Sequence, residues 1–153
     1  MSIDQLDFSF VKDSFLRKEL EDYWFQAQKA YDAGAYLGAL VTCGSTVEGL
    51  LTWRLLQRKD EALKSQKACK DRNGKVIPLE QWNLSNLIDV SAELNLIGDT
   101  AKKASWAVKD FRNFIHPYNL LKQSARPDQA LTQSALAAVK EIRRSLEGRL
   151  SEK

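Results

Sequence analysis

Apolar residues recur along this chain at spacings of three and four, and no convincing alternation of apolar and polar residues suggests a β-strand. The first such stretch predicts a helix that begins at Asp13 or Ser14, since small polar residues cap helix N-termini, and that ends at Gly34. One stripe of this helix should face a core. Its residues are Leu16, Leu20, Tyr23, Trp24, Ala27 and Tyr31.

A second helix is predicted from about residue 35 to residue 58, and it is apolar over most of its circumference. Its Gly38, Gly44 and Gly49 lower helix propensity but let a neighbouring helix approach closely. These features are typical of the central helix of a bundle. The residues expected to be buried are Leu37, Leu40, Val41, Val47, Leu50, Leu51 and Leu55.

The helical pattern weakens between residues 59 and 81, where basic side chains accumulate. Asn73-Gly74 predicts a turn, and Pro78 interrupts any helix. We therefore expect a short helix followed by an exposed basic loop. The basic residues of this insertion are Lys59, Lys64, Lys67, Lys70, Arg72 and Lys75.

Three further helices complete the predicted fold. Asn83 should cap the first, Asp99 or Thr100 should open the second, and Pro127 should be the first residue of the third. The middle one is expected to continue until Pro117, which lacks a backbone donor and clashes with the preceding turn. The prediction is an all-α bundle of four or five helices, with the basic insertion between its second and third main helices.

Composition narrows the class of protein. A chain of 153 residues can fold around one hydrophobic core, so residues 1–153 are expected to form one domain. Residues 35–56 carry Glu48 and Arg54 and do not suit a membrane span. The acidic N-terminus lacks the basic start of an export signal, and Cys43 and Cys69 lack disulfide or zinc spacing. We expect a cytoplasmic protein with no metal, cofactor or membrane association.

Charge is distributed unevenly along the chain. Residues 1–57 hold five Lys/Arg and eight Asp/Glu, a net of −3, whereas residues 58–153 hold eighteen and twelve, a net of +6. The basic part is compatible with a polyanionic partner such as RNA, and equally with solvated helix faces. The candidate RNA contacts are Lys67, Lys70, Arg72 and Lys109.

One pair of residues carries the candidate chemistry. A single histidine excludes metal sites built from several histidines, and the chain has neither a Gly-rich phosphate loop nor a Gly-x-Ser-x-Gly turn. Arg112 and His116 remain, and at a spacing of four they would share a helical face. A guanidinium can hold a phosphate while an imidazole transfers protons, which suffices to cleave RNA through its own 2′-hydroxyl. The negative end of the helix dipole would favour a protonated His116, acting as a general acid.

Other interpretations of these residues stay open. Arg112 and His116 can also serve only to compensate the helix dipole, because cationic side chains are favoured in the last turn of a helix. Asn113 can serve as a local cap. Glu48 lies on or beside an apolar face, where it can orient Arg112, favour the charged form of His116, or simply reach solvent. The four tryptophans can stack on bases or fill the core. They are Trp24, Trp53, Trp82 and Trp106.

The segment Asp110-Phe111-Arg112-Asn113-Phe114-Ile115-His116-Pro117 resembles the signature region of the HEPN superfamily, small helical domains of prokaryotic toxins and defence systems. Segments 39–51 and 82–97 are similar to the second helix and the middle segment of its stand-alone bacterial members. The resemblance covers about residues 35–150. One departure is that three residues separate Arg112 from His116, fewer than in the usual motif.

This resemblance implies a function. Active HEPN members are metal-independent endoribonucleases that pair head to head, so that two motifs line one RNA-binding cleft. It implies that Arg112 holds the scissile phosphate, His116 transfers a proton and Asn113 supports them, in a homodimer formed through the motif-bearing face. It also implies a small nucleotidyltransferase as a possible antitoxin. Many members are non-catalytic, so an RNA-binding or protein-interaction module is the alternative.

Overall fold

The computed structural model of the protein describes residues 5–111, 114, 116–118 and 126–150. Residues 5–111 and 126–150 form six α-helices and no β-strand, which confirms the all-α class that the hydrophobic spacing predicts. None of the helices in this part of the chain has the length and apolar content needed to cross a bilayer. The helices are α1 (Ser14–Asp32), α2 (Tyr36–Leu56), α3 (Lys59–Lys64), α4 (Leu84–Glu93), α5 (Asp99–Phe111) and α6 (Gln129–Gly148).

Three of the helices begin at a side-chain cap. The side chains of Asp13, Asn83 and Asp128 each accept a hydrogen bond from the backbone N–H three residues later, at 2.8–3.0 Å. The predicted caps of α1 and α4 are therefore confirmed. The prediction for Pro127 is wrong, because Asp128 caps α6 and Pro127 precedes the cap. A carboxylate at this position satisfies a backbone donor that the helix leaves free, which proline cannot do.

Helix α2 is the centre of the bundle, as predicted. It packs against α1, α3, α4, α5 and α6, and Leu50, Leu51 and Leu55 are fully buried. Leu37 and Val41 were expected in the core, but each is 41 % exposed. Both lie in the first two turns of α2, on a row that no described element covers. Periodicity shows that a helix is apolar on several sides, but it cannot show which side stays uncovered.

The tryptophans are chiefly core residues. Trp24, Trp53 and Trp82 are buried and Trp106 is partly buried. The indole N–H of Trp82 donates to the carbonyl of Ile77 at 3.0 Å, so its polar group is satisfied inside the fold. This favours the core interpretation of these residues over base stacking.

Two contacts fix the relative directions of α5 and α6. The Tyr31 hydroxyl accepts hydrogen bonds from the side chains of Gln129 and Gln133, which places the start of α6 beside the end of α1. The backbone N–H of Gly98 donates to the hydroxyl of Ser145, which places the start of α5 beside the last turns of α6. Helices α5 and α6 are therefore antiparallel. The C-terminal end of α5 points to the end of the bundle where α1 meets α2.

The segment after α3 forms the exposed basic loop that the sequence predicts. Lys70 and Val76 form an antiparallel bridge, and the Asp71 carboxylate accepts hydrogen bonds from two backbone N–H groups within the turn. Gly74 has a φ of 79°, the left-handed conformation that glycine adopts without strain. Residues 70–76 are called the basic hairpin below.

The two cysteines should differ sharply in reactivity. Cys43 is fully buried, and burial raises the pKa of its thiol to about 12, whereas Cys69 is only partly buried. Since the thiolate is the reactive form, iodoacetamide at neutral pH should label Cys69 in the folded protein and spare Cys43. Mass mapping of peptides checks this, with denatured protein as the control in which both react. Equal labelling of both cysteines in folded protein would contradict the packing around Cys43.

Candidate functional site

The chain changes conformation at the end of α5, next to the predicted site. Helix α5 ends at Phe111, Phe114 has 3₁₀ geometry, His116 lies in a bend, and Pro117 with Tyr118 is helical again. The prediction of one helix continuous to His116 is therefore wrong. Proline disfavours helical geometry in the residue before it and suits the first position of a new helical segment. Pro117 thus accounts for the non-helical conformation of His116 and begins the next helical segment itself.

This geometry separates two side chains of the motif segment. Phe114 is buried in the core and anchors the segment to the bundle, whereas His116 is exposed to solvent. His116 lies five residues beyond Phe111, and a helix dipole acts mainly within its last turn. The dipole argument for His116 assumed a continuous helix, and it stays a prediction. Arg112 and Asn113 lie outside the described residues, so their predicted roles stay predictions.

Two further side chains near the end of α5 suit contact with RNA. Lys109 lies in the last turn of α5, and its ammonium is 4.8 Å from the centroid of the Trp106 ring, a cation–π distance. Tyr118, two residues after His116, is 79 % exposed. An exposed aromatic ring two residues from an exposed imidazole offers a surface on which a base can stack.

Glu48 lies beside apolar side chains, as the sequence predicts. It is partly buried on α2 and lines a groove of about 510 Å³ between α1 and α2. The described lining residues come from α1, its cap and α2, and none comes from α5. The expected pairing of Glu48 with Arg112 involves a residue outside the described ranges and stays a prediction. This α1–α2 groove is lined by Asp13, Leu16, Glu19, Leu20, Tyr23, Ser45, Glu48, Gly49, Thr52, Trp53 and Leu56.

Lys67 lies near the opposite end of α5 from His116. It lines a cleft of about 440 Å³ together with Asp99 and Lys102 of the first turn of α5. The thirteen residues of α5 span about 18 Å at 1.5 Å per residue. Three basic side chains of this cleft face three carboxylates, so its charge is balanced. The structure therefore does not join Lys67 and Lys109 into one basic patch. The charged residues of the cleft are Lys67, Lys102, Arg149, Asp89, Glu93 and Asp99.

The basic hairpin carries the other two candidate RNA contacts. Lys70, Arg72 and Lys75 are exposed, and the Asp71 carboxylate among them is engaged by backbone N–H groups of the turn. These hydrogen bonds restrict the backbone of the turn, so that its exposed cations are held close together. It can contact phosphate groups of a nucleic acid.

Sequence reasoning missed a buried arginine. Arg54, in the last turn of α2, is only 5 % exposed. Its Nη1 donates to Oε1 of Gln57 at 2.9 Å, while its Nε has no hydrogen-bond partner. Burial, together with the positive charge of Arg58, lowers the pKa of Arg54. The available signal was its place one turn after Leu50, on the face that α2 turns to the core.

No group of three or more potential metal ligands comes together within the described ranges. Comparison with family models, with curated proteins and with solved structures found no match to this chain. The resemblance to the HEPN superfamily therefore stays a prediction from the sequence.

Proposed function

We propose that the protein is a metal-independent endoribonuclease that acts as a homodimer. One observation carries the proposal: His116, the chain's single histidine, is exposed just beyond α5 and follows Arg112 by four residues. A histidine kept for packing would be enclosed by the core, as Phe114 beside it is. An exposed imidazole is accessible to a substrate as large as RNA.

The proposed reaction uses the hydroxyl of the substrate. The 2′-oxygen attacks the adjacent phosphorus while the bond from phosphorus to the 5′-oxygen breaks, which leaves a 2′,3′-cyclic phosphate and a 5′-hydroxyl. One proton leaves the 2′-hydroxyl and another reaches the 5′-oxygen. One imidazole cannot accept and donate a proton in the same step, but His116 from each of two protomers can. Arg112 would hold the non-bridging phosphate oxygens.

Incubation of purified protein with several RNAs in excess EDTA tests the proposal. We expect cleavage at neutral pH, with 2′,3′-cyclic phosphate ends on the products. A failure to cut any RNA would reject the ribonuclease function. A requirement for added divalent metal would reject the proposed mechanism.

Tyr118 should contribute to binding rather than to the chemical step. Because base–aromatic stacking is worth about 1–3 kcal/mol, Tyr118→Ala should raise KM for RNA by roughly tenfold and change kcat little. Tyr118→Phe keeps the ring and should behave like the native protein. Steady-state kinetics on a labelled RNA checks both variants. Unchanged KM in Tyr118→Ala would show that the ring does not contact the substrate.

A non-catalytic RNA-binding module is the second candidate, favoured by the exposed cations of the basic hairpin. Replacing Lys70 and Arg72 by Glu should weaken binding of single-stranded RNA. The logarithm of the binding constant should also fall less steeply with the logarithm of the salt concentration, by about 0.7 in slope for each lost phosphate contact. The matched control replaces the exposed Lys18 and Lys29 of α1, with the same change in charge. Fluorescence anisotropy at several salt concentrations measures the effect. Equal weakening in both variants would indicate only a response to net charge.

A further inference from the structure

One row of the central helix α2 is left uncovered. Most of α2 is buried, but Leu37, Val41 and Leu56 are exposed, and Ser45 and Thr52 are partly buried along the same side. Residues at these spacings follow one another along a helical face. Beside α1 this row opens into the α1–α2 groove.

The shape of the α1–α2 groove suits the side chains of a further helix. Its floor consists of the small residues Ser45, Gly49 and Thr52. Helix α1 lies close to α2 at Gly49, where an added Cβ would lie 3.5 Å from Leu20 Cδ2. Larger apolar and aromatic side chains form its walls. A groove of this kind can bind an amphipathic helix whose apolar side chains recur every three or four residues and enter it. The wall residues are Leu16, Tyr23, Trp53 and Leu56.

The charge of the groove selects the kind of partner. Asp13, Glu19 and Glu48 line it, and none of the described lining residues is Lys or Arg. Two copies related by a two-fold axis through this groove would bring the same carboxylates together, which costs free energy. A partner with positive charges beside its apolar face is electrostatically complementary. The groove therefore fits a basic partner better than a symmetric second copy.

We propose that the α1–α2 groove binds an amphipathic α-helix of another protein, with an apolar face against the floor and Lys or Arg on its flanks. From Ser45 to Leu56 the groove follows α2 for about 16 Å, or three helical turns. The partner helix needs about this length. The inference does not depend on ribonuclease activity, and its test involves no RNA.

The test uses two labelled helical peptides of about three turns, with the same leucine face and with either Lys or Glu on the flanks. Fluorescence anisotropy should show the Lys peptide binding at least about tenfold more tightly than the Glu peptide. Ser45→Trp fills the groove from a partly exposed position and should weaken the Lys peptide by a similar factor. Glu19→Lys should also weaken it, whereas Glu21→Lys, which changes a carboxylate of α1 outside the groove, should not.

Circular dichroism and thermal unfolding establish that each variant is folded. The proposal is overturned if neither peptide binds, if both bind equally, or if Glu19→Lys and Glu21→Lys have the same effect. Sedimentation of the protein without peptide tests whether a second copy of the chain occupies the groove instead. A dimer that Ser45→Trp dissociates would assign the groove to a second copy and would also overturn the proposal.

Discussion

Replacing His116 by Ala should lower metal-independent RNA cleavage by roughly 10²–10⁴-fold, the usual contribution of general acid–base catalysis. No other histidine in the chain can take over the proton transfer. The side chain is exposed, so its loss should change the free energy of unfolding by no more than about 0.5 kcal/mol. Initial rates on a fluorescent RNA in excess EDTA measure the effect on catalysis.

Lys103→Ala is the matched control for this experiment. Lys103 is exposed on α5 and precedes the motif segment, so the variant should cleave RNA like the native protein. Cleavage that persists in His116→Ala would mean that another nuclease, or another residue, produces it. A comparable loss in Lys103→Ala would indicate general damage to α5 and not loss of a catalytic group.

Leu50→Ala should destabilise the fold by about 2–5 kcal/mol, the range found when a buried leucine is truncated in a packed core. Leu50 is fully buried on α2, the helix that contacts all the others. The cavity would therefore lie where several helices meet, and little local collapse can fill it. Since small domains unfold at a cost of about 5–15 kcal/mol, this loss is a large share of the total. Urea unfolding followed by circular dichroism measures it.

Leu37→Ala provides the comparison on the same helix. Leu37 is 41 % exposed, so its truncation should cost less than about 1 kcal/mol. The two variants remove the same atoms and differ in what surrounds them. Equal destabilisation would contradict the central place of α2 and the exposure of its outer row.

Much of this fold could be predicted from the sequence because its determinants are local. Asp13 and Asn83 cap their helices through bonds to residues three positions away, which a sequence displays directly. The buried stripe of α6 follows from the spacing of Ala135, Ile142 and Leu146, which are all fully buried. The turn within the basic hairpin follows in the same way from Asn73-Gly74.

The features of the fold that the sequence did not predict depend on contacts between distant segments. Tyr23 and Val41 are apolar at helical spacing, yet they are exposed because no described helix covers that side of α1 and α2. The burial of Arg54 depends on how the other helices pack around α2. The α1–α2 groove exists only once the two helices have docked. These features depend on how the helices pack, and residue spacing alone does not determine them.

The end of α5 shows a different reason why residue spacing alone does not predict the structure. The apolar spacing of Val108 and Phe111 continues to Ile115 and suggests an unbroken helix, whereas the backbone requirement of Pro117 acts on the residues before it. The observed bend at His116 shows that the proline outweighs the periodicity. As a result the single histidine is exposed beside Tyr118, outside the last turn of α5.

Replacement of one hydroxyl group in the substrate tests the central claim most directly. The cleavage site in a short RNA is mapped first, and the same oligonucleotide is then made with a 2′-deoxy nucleotide on the 5′ side of the scissile phosphate. With EDTA present, we predict that the native protein cleaves the all-ribose strand and leaves the substituted position intact. Equal cleavage at that position would contradict attack by the 2′-oxygen, and with it the metal-independent mechanism proposed for His116.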